Sequence, residues 1–193
     1  DKNPSFGGTN SGFQYNGNIA STVWKSKTDQ QNRRYNFTYD NTNRLLTANF
    51  NQYYASNSTW NSSINFSVKM GNGTDPTTAY DPNGNILAMT QQGYRLNFGS
   101  TTLDNLQYTY ATNSNKLLKV KDLAPSHNPL IDKERNDFKD GINISDDYAY
   151  DNNRNLVADS NKRLSNIVYN HLNLPTFIQV LGKGTIQYIY DAG

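Results

Sequence analysis

At 193 residues the chain is long enough for one domain or for one slab of a longer repetitive body. Charged residues make up 18% and hydrophobic ones 35%, so its polarity comes from uncharged groups: 30 Asn and 17 Thr stand beside 14 Tyr and 8 Phe. A net charge of +2 argues against nucleic acid and against an anionic membrane surface as partners. The lack of cysteine excludes a disulfide framework and a thiol nucleophile, and no apolar run is long enough to span a bilayer. Tyr, Thr and Phe favour strands while Asn and Gly favour the turns between them, so the class expected is all-β. Aromatics recurring at strand period argue against a disordered polar tract.

Residues 1–12 are rich in Gly, Ser and Asn and read as irregular, and Asp1-Lys2-Asn3-Pro4 carries no signal-peptide pattern, as expected of a piece of a longer chain. The spacing predicts a first hairpin, Phe13–Tyr15 against Ile19–Trp24, across Asn16-Gly17. A second pairs Arg33–Tyr39 with Leu45–Phe50, placing Tyr35, Phe37 and Tyr39 on one face. Ile64–Lys69 alternates as a half-buried strand, and Gly71-Asn72-Gly73 turns the chain toward an outgoing strand near Asn85–Thr90. Gln91–Asn105 reads as less regular. A further unit ends near Val120, after which Asp122–Asp147 carries two prolines and a dense charge cluster, with a short helix expected over Leu130–Phe138. The reading therefore divides residues 1–121 and 148–193, two stretches of one continuous β-array, by a charged insertion at 122–147.

One phrase organises the whole. Tyr148-Ala149-Tyr150-Asp151-Asn152-Asn153-Arg154-Asn155-Leu156-Val157 arrives on aromatics, turns on Asp and Asn, and leaves on aliphatics. Related wording surrounds Tyr15, Tyr39, Tyr80, Tyr110, Tyr169 and Tyr190, and Tyr150, Tyr169 and Tyr190 recur about every twenty residues. An isolated hairpin is marginal in water, whereas neighbours laid edge to edge complete each other's ladders and share an apolar face. The seven tyrosines are thus read as structural anchors.

The Tyr-x-Tyr-Asp-x-x-x-Asn-Leu phrase resembles the Rhs/YD-repeat family over nearly the whole chain, from Phe13 to Asp191. That resemblance implies an open, curved array of antiparallel hairpins forming part of a β-shell, or cocoon, in a secreted or surface-displayed bacterial protein. It implies as partner the rest of the same polypeptide, with a C-terminal toxin or effector enclosed or presented, and no catalytic residue, metal or cofactor in this segment. The family's turn glycine stands only at Gly84, with Asn43, Asn113 and Arg154 near its place elsewhere. Asp81-Pro82-Asn83-Gly84 has the letters of the family's self-cleavage motif, but it occupies a repeat turn and Asn85 replaces the expected aliphatic residue.

Other chemistry is weaker. His127 and His171 have no His or Cys partner at metal-ligand spacing. Asp151-x-Asn153-x-Asn155 and Asp81-x-Asn83-x-Asn85 imitate the opening of a calcium loop, but Leu156 and Ile86 stand where glycine is needed, and Asx-turns explain the same residues. Glycosylation sequons, at Asn36, Asn57, Asn61, Asn65, Asn72 and Asn143, are about as many as the roughly five that composition alone produces. Two alternative functions follow. Trp24 and Trp60 beside many amides suit a carbohydrate-binding or adhesion module, and the acidic stretch 132–147, with Asp137, Asp140, Asp146 and Asp147, would suit a hydrolase.

Overall fold

The computed structural model describes residues 14–95, 99–124, 138–141 and 145–191. The described chain is nearly all antiparallel β-structure in open sheets. In order the elements are β1 (Ser21–Lys25), β2 (Asn32–Tyr39), β3 (Leu45–Tyr54), β4 (Thr59–Asn61), β5 (Val68–Met70), α1 (Pro76–Ala79), β6 (Ala88–Arg95) and β7 (Gly99–Tyr110). Then come β8 (Leu117–Asp122), β9 (Tyr148–Tyr150), β10 (Leu156–Asp159), β11 (Leu164–Tyr169), β12 (Pro175–Val180) and β13 (Gly184–Gln187). The chain divides into two compact units, residues 1–106 with 123–137, and residues 107–122 with 138–193.

In the first unit the strand order is β1-β2-β3-β5-β6-β7, with β4 paired to β3 alone. The β2–β3 register sets Arg34 opposite Asn51, Tyr35 opposite Phe50 and Thr38 opposite Thr47. Because side chains alternate, this register sorts the sheet into two unlike faces. One is aromatic. Trp24 stacks on Tyr35 at 5.6 Å between centroids, Tyr35 meets Phe50 edge-on at 5.4 Å, and Phe66 meets Phe50 at 5.2 Å. Phe50 is consequently only 2% exposed. The same face runs on into a cluster of Leu46, Met70 and Ala79, flanked by Val68, Tyr80, Ile86 and Met89.

The one-turn helix α1 seals that cluster. Asp75 caps it by accepting from the Thr77 N–H, Pro76 occupies the first turn, and the chain leaves extended at Tyr80. Gly71 packs its backbone directly against Thr78 and Ala79 at φ +52°, where an added Cβ would collide with both. Aspartate followed by proline was the available sequence signal for this turn.

In the second unit the end of β7 is followed by β8, and a five-stranded sheet runs β13-β12-β11-β10-β9. Its registers include Ile167 opposite Ile178 and Asp159 opposite Tyr148. The Asp147 N–H donates to Leu118 O at 2.8 Å.

Several expectations are corrected. Residues 14–20 form no strand, and β1 pairs with β2 instead of closing a hairpin across Asn16-Gly17. Gln91–Asn105 is more regular than its sequence suggests, since β6 extends to Arg95 and β7 begins at Gly99. Of Ile64–Lys69 only Val68 and Lys69 join a strand; the Ser67 hydroxyl accepts from the Phe50 N–H, a side chain standing in for the ladder. The helix expected over Leu130–Phe138 falls on residues outside those described, except Phe138, which is not helical.

Candidate functional site

The turns are built alike from the same few atoms. Asp40 Oδ1 accepts from the N–H groups of Thr42 and Arg44, both at 2.9 Å. Asp81 does so from Asn83 and Asn85 at 2.9 and 2.8 Å, and Asp151 from Asn153 and Asn155 at 2.9 and 2.8 Å. Asn170 repeats the pattern with Leu172 and Leu174. The fourth residue of each turn is left-handed: Asn43 at φ 64°, Gly84 at 87°, Arg154 at 71° and Asn173 at 57°. After Tyr110 the turn is one residue longer, closed by Ala111 N–H to Lys116 O at 2.9 Å.

Five tyrosines reach back to an earlier turn. Tyr39 donates its hydroxyl to Ile19 O (3.1 Å), Tyr80 to Leu45 O (2.6 Å), Tyr150 to Leu117 O (2.9 Å), Tyr169 to Leu156 O (2.7 Å) and Tyr190 to Pro175 O (2.8 Å). In each pair the acceptor lies just past an earlier turn. Burial pushes the phenols of Tyr80, Tyr150 and Tyr169 up from their ordinary value. Arg44 lies over the Tyr80 ring at 4.5 Å and Lys116 over Tyr150 at 5.7 Å. Amides stitch the turns as well: Asn43 Oδ1 accepts from Asn16 and Asn18, and Asn173 Oδ1 from Asn153 and Asn155. Tyr15 departs from the anchor expectation, being 93% exposed, and Tyr110 is half-buried at the end of β7.

These turns use up the oxygens that imitate a calcium loop. Asp81 Oδ2 and Asp151 Oδ2 each accept from the side-chain amide of their own Asn85 or Asn155. For Asp81 the Asn85 side chain is the main cause of a lowered pKa; for Asp40 and Asp151 burial opposes the shift, and hydrogen bonds from Arg44 and Asn155 outweigh it. Among the described residues no group of three or more His, Cys, Asp or Glu side chains has the geometry to hold a metal ion. His127 lies outside the described residues, as do Asp132 and Asp137; His171 is exposed within its turn. Of the described acids near 140, Asp140 accepts from the Asp122 N–H, Asp147 is 1% exposed and accepts from the Val120 N–H, and Asp146 is exposed.

The tryptophans separate onto opposite faces. Trp24 belongs to the aromatic cluster. Trp60 lies opposite Tyr53 on the other face, which the register lines with Lys25, Asn32, Arg34, Asn36, Thr47, Asn49, Asn51, Lys69, Thr90 and Gln92. Arg34 sits over the Trp60 ring at 4.5 Å, is 9% exposed, and spends its Nε on Asn51 at 3.4 Å. Its Nη1 and the Trp60 Nε1 are buried donors with no acceptor among the described residues. Burial pushes the Arg34 guanidinium down from its ordinary value. Beside them a polar groove of about 410 Å³ opens between β3 and β5, lined by Asn49, Asn51, Asn65, Ser67, Lys69 and Gln92 among others.

In sequence Arg34 reads as part of a basic cluster with Lys25, Lys27 and Arg33 around a solvated hairpin loop; it lies instead within β2 and is buried, its period-two spacing with Asn32 and Asn36 setting its face. Taken together, fold and site define an antiparallel β-protein with one aromatic and one polar, cation-bearing face in its first unit. No family model matches the chain, and no curated protein is significantly similar to it.

Proposed function

We propose that the chain is a non-enzymatic structural segment of a secreted or surface-displayed protein of the Rhs/YD-repeat kind, whose hairpins enclose or present a C-terminal effector of the same polypeptide. The observation that carries this reading is the tyrosine link, by which five tyrosines each bond a carbonyl just past an earlier turn. Such links add rigidity between neighbouring hairpins, which suits a wall. The carboxylates of Asp40, Asp81 and Asp151 are likewise committed to their own turns.

The test is limited proteolysis of the full-length polypeptide, in the parent and in a Tyr80→Ala/Tyr150→Ala variant. The expected result is an effector region protected in the parent and cleaved in the variant, with Tyr80→Phe/Tyr150→Phe intermediate. Equal cleavage of that region in parent and variant would count against enclosure. A second reading, glycan binding, is favoured by Trp60, which lies beside amides and a guanidinium on the polar face. Binding of saccharides to the isolated chain tests it.

A further inference from the structure

Strands β1 to β6 hold Lys25, Arg33, Arg34, Lys69 and Arg95 but neither Asp nor Glu. Arg33 points to the aromatic face and is already paired with Asp29. Lys25, Arg34 and Lys69 share the polar face, where strands β1 to β6 set no carboxylate beside them; the first carboxylate of this sheet is Asp104, on β7. Among the described residues Arg34 has no counter-ion, and a guanidinium held 9% exposed in that state is unfavourable unless something anionic completes it. Among the described residues Arg34 Nη1 and Trp60 Nε1 lack an acceptor, while Asn36 Oδ1 on the same face lacks a donor, a mixed set that a ligand carrying both acceptors and hydroxyls would complete. Amides and hydroxyls line the adjoining groove, and those are groups that bind sugar hydroxyls from either side of the hydrogen bond.

We propose that this face binds an acidic saccharide, its carboxylate received by Arg34 Nη1 and Trp60 Nε1 and its ring hydroxyls by Asn49, Asn51, Asn65 and Gln92. The inference rests on the glycan-binding reading and adds the charge of the ligand. Both donors are closed from solvent by the stacked pair, so entry requires the indole to lift from the guanidinium. Its strand permits this, since β4 is three residues long and pairs only with β3. Three cations on the face are too few for a nucleic-acid backbone, whose binding follows the number of phosphates neutralised.

The experiment titrates the Trp24→Phe chain, in which Trp60 is the only indole, with a galacturonic acid tetramer and with a neutral galactose tetramer. Indole fluorescence and calorimetry are the readouts. The acidic tetramer is expected to bind about tenfold tighter than the neutral one, with an emission change as Trp60 moves. Lys69→Gln, at an exposed position, and Arg34→Lys, which keeps charge but loses the guanidinium fork, should each remove most of that preference. Arg34→Gln is informative only where circular dichroism shows the parent sheet intact. Equal binding of the two tetramers would overturn the carboxylate site and leave glycan binding standing, whereas no binding of either would overturn both. Tighter binding of a single-stranded oligonucleotide than of the acidic tetramer would also overturn the proposal.

Discussion

At the scale of single residues, the tyrosines contribute by two separable means. Removing the Tyr150 hydroxyl in Tyr150→Phe leaves the Leu117 carbonyl without its donor and should cost about 1 kcal/mol. Tyr150→Ala also discards a half-buried ring beneath Lys116 and should cost about 3 kcal/mol. Urea titration distinguishes the two, and a loss under about 0.5 kcal/mol for the alanine variant would show that the ring is not structural. The left-handed turn position separates backbone strain from packing. Gly84 sits at φ +87° with nothing within 4 Å of an added Cβ, so Gly84→Ala should lose about 1 kcal/mol through conformation alone. Arg154 holds the equivalent place at φ 71° on an exposed residue, so Arg154→Gly should gain about 0.5–1 kcal/mol. Opposite signs at equivalent positions are the signature to look for.

At the scale of the element, the turn is a small electrostatic device. One carboxylate oxygen takes two backbone N–H groups and the other takes a side chain, so the ionised form is favoured in the fold. The sign follows directly. Asp40, Asp81 and Asp151 have lowered pKa values when folded, so between those values and the ordinary carboxylate pKa, about 4, the unfolded chain binds more protons. Their stabilisation is complete above that ordinary value and is lost as pH falls through the folded ones. Thermal midpoints should therefore fall on acidification below pH of about 4, and less so in Asp81→Asn, which no longer titrates there. Asp29, held at about 2 chiefly by Arg33, should add to the same acid limb in a site-resolved titration.

At the scale of the whole molecule, the antiparallel β class was legible in composition and period-two spacing. So were the turn positions, because Asp, Asn and Gly act through local hydrogen bonds and local φ. The β2–β3 register could be anticipated from Tyr35, Phe37 and Phe50, whose alternation allows only one face inward. Other features escaped. Residues 14–20 carry a turn signal at Asn16-Gly17 yet form no strand, and β1 pairs with β2 across the loop of residues 26–31. The stretch from Gln91 to Asn105 has few aromatics, but β6 gains pairing from β5 along one edge and lies beside β7 on the other. The outermost strand, β13, is exposed along its length, and Ile186 is 45% exposed there. An edge of this kind is a template for another strand, so the isolated chain should show concentration-dependent association by sedimentation, reduced by Ile186→Lys.

What the sequence determined alone was the Asp- and Asn-led turns after Tyr39, Tyr80, Tyr150 and Tyr169 and the alternation of β2 and β3, because both follow from atoms within a few residues of one another. Only the tertiary structure decided which carbonyl receives each tyrosine hydroxyl and that Arg34 and Trp60 meet on the face opposite Trp24. Those pairings join residues 13 to 35 positions apart, and their partners are chosen by strand order and register, which no local pattern encodes.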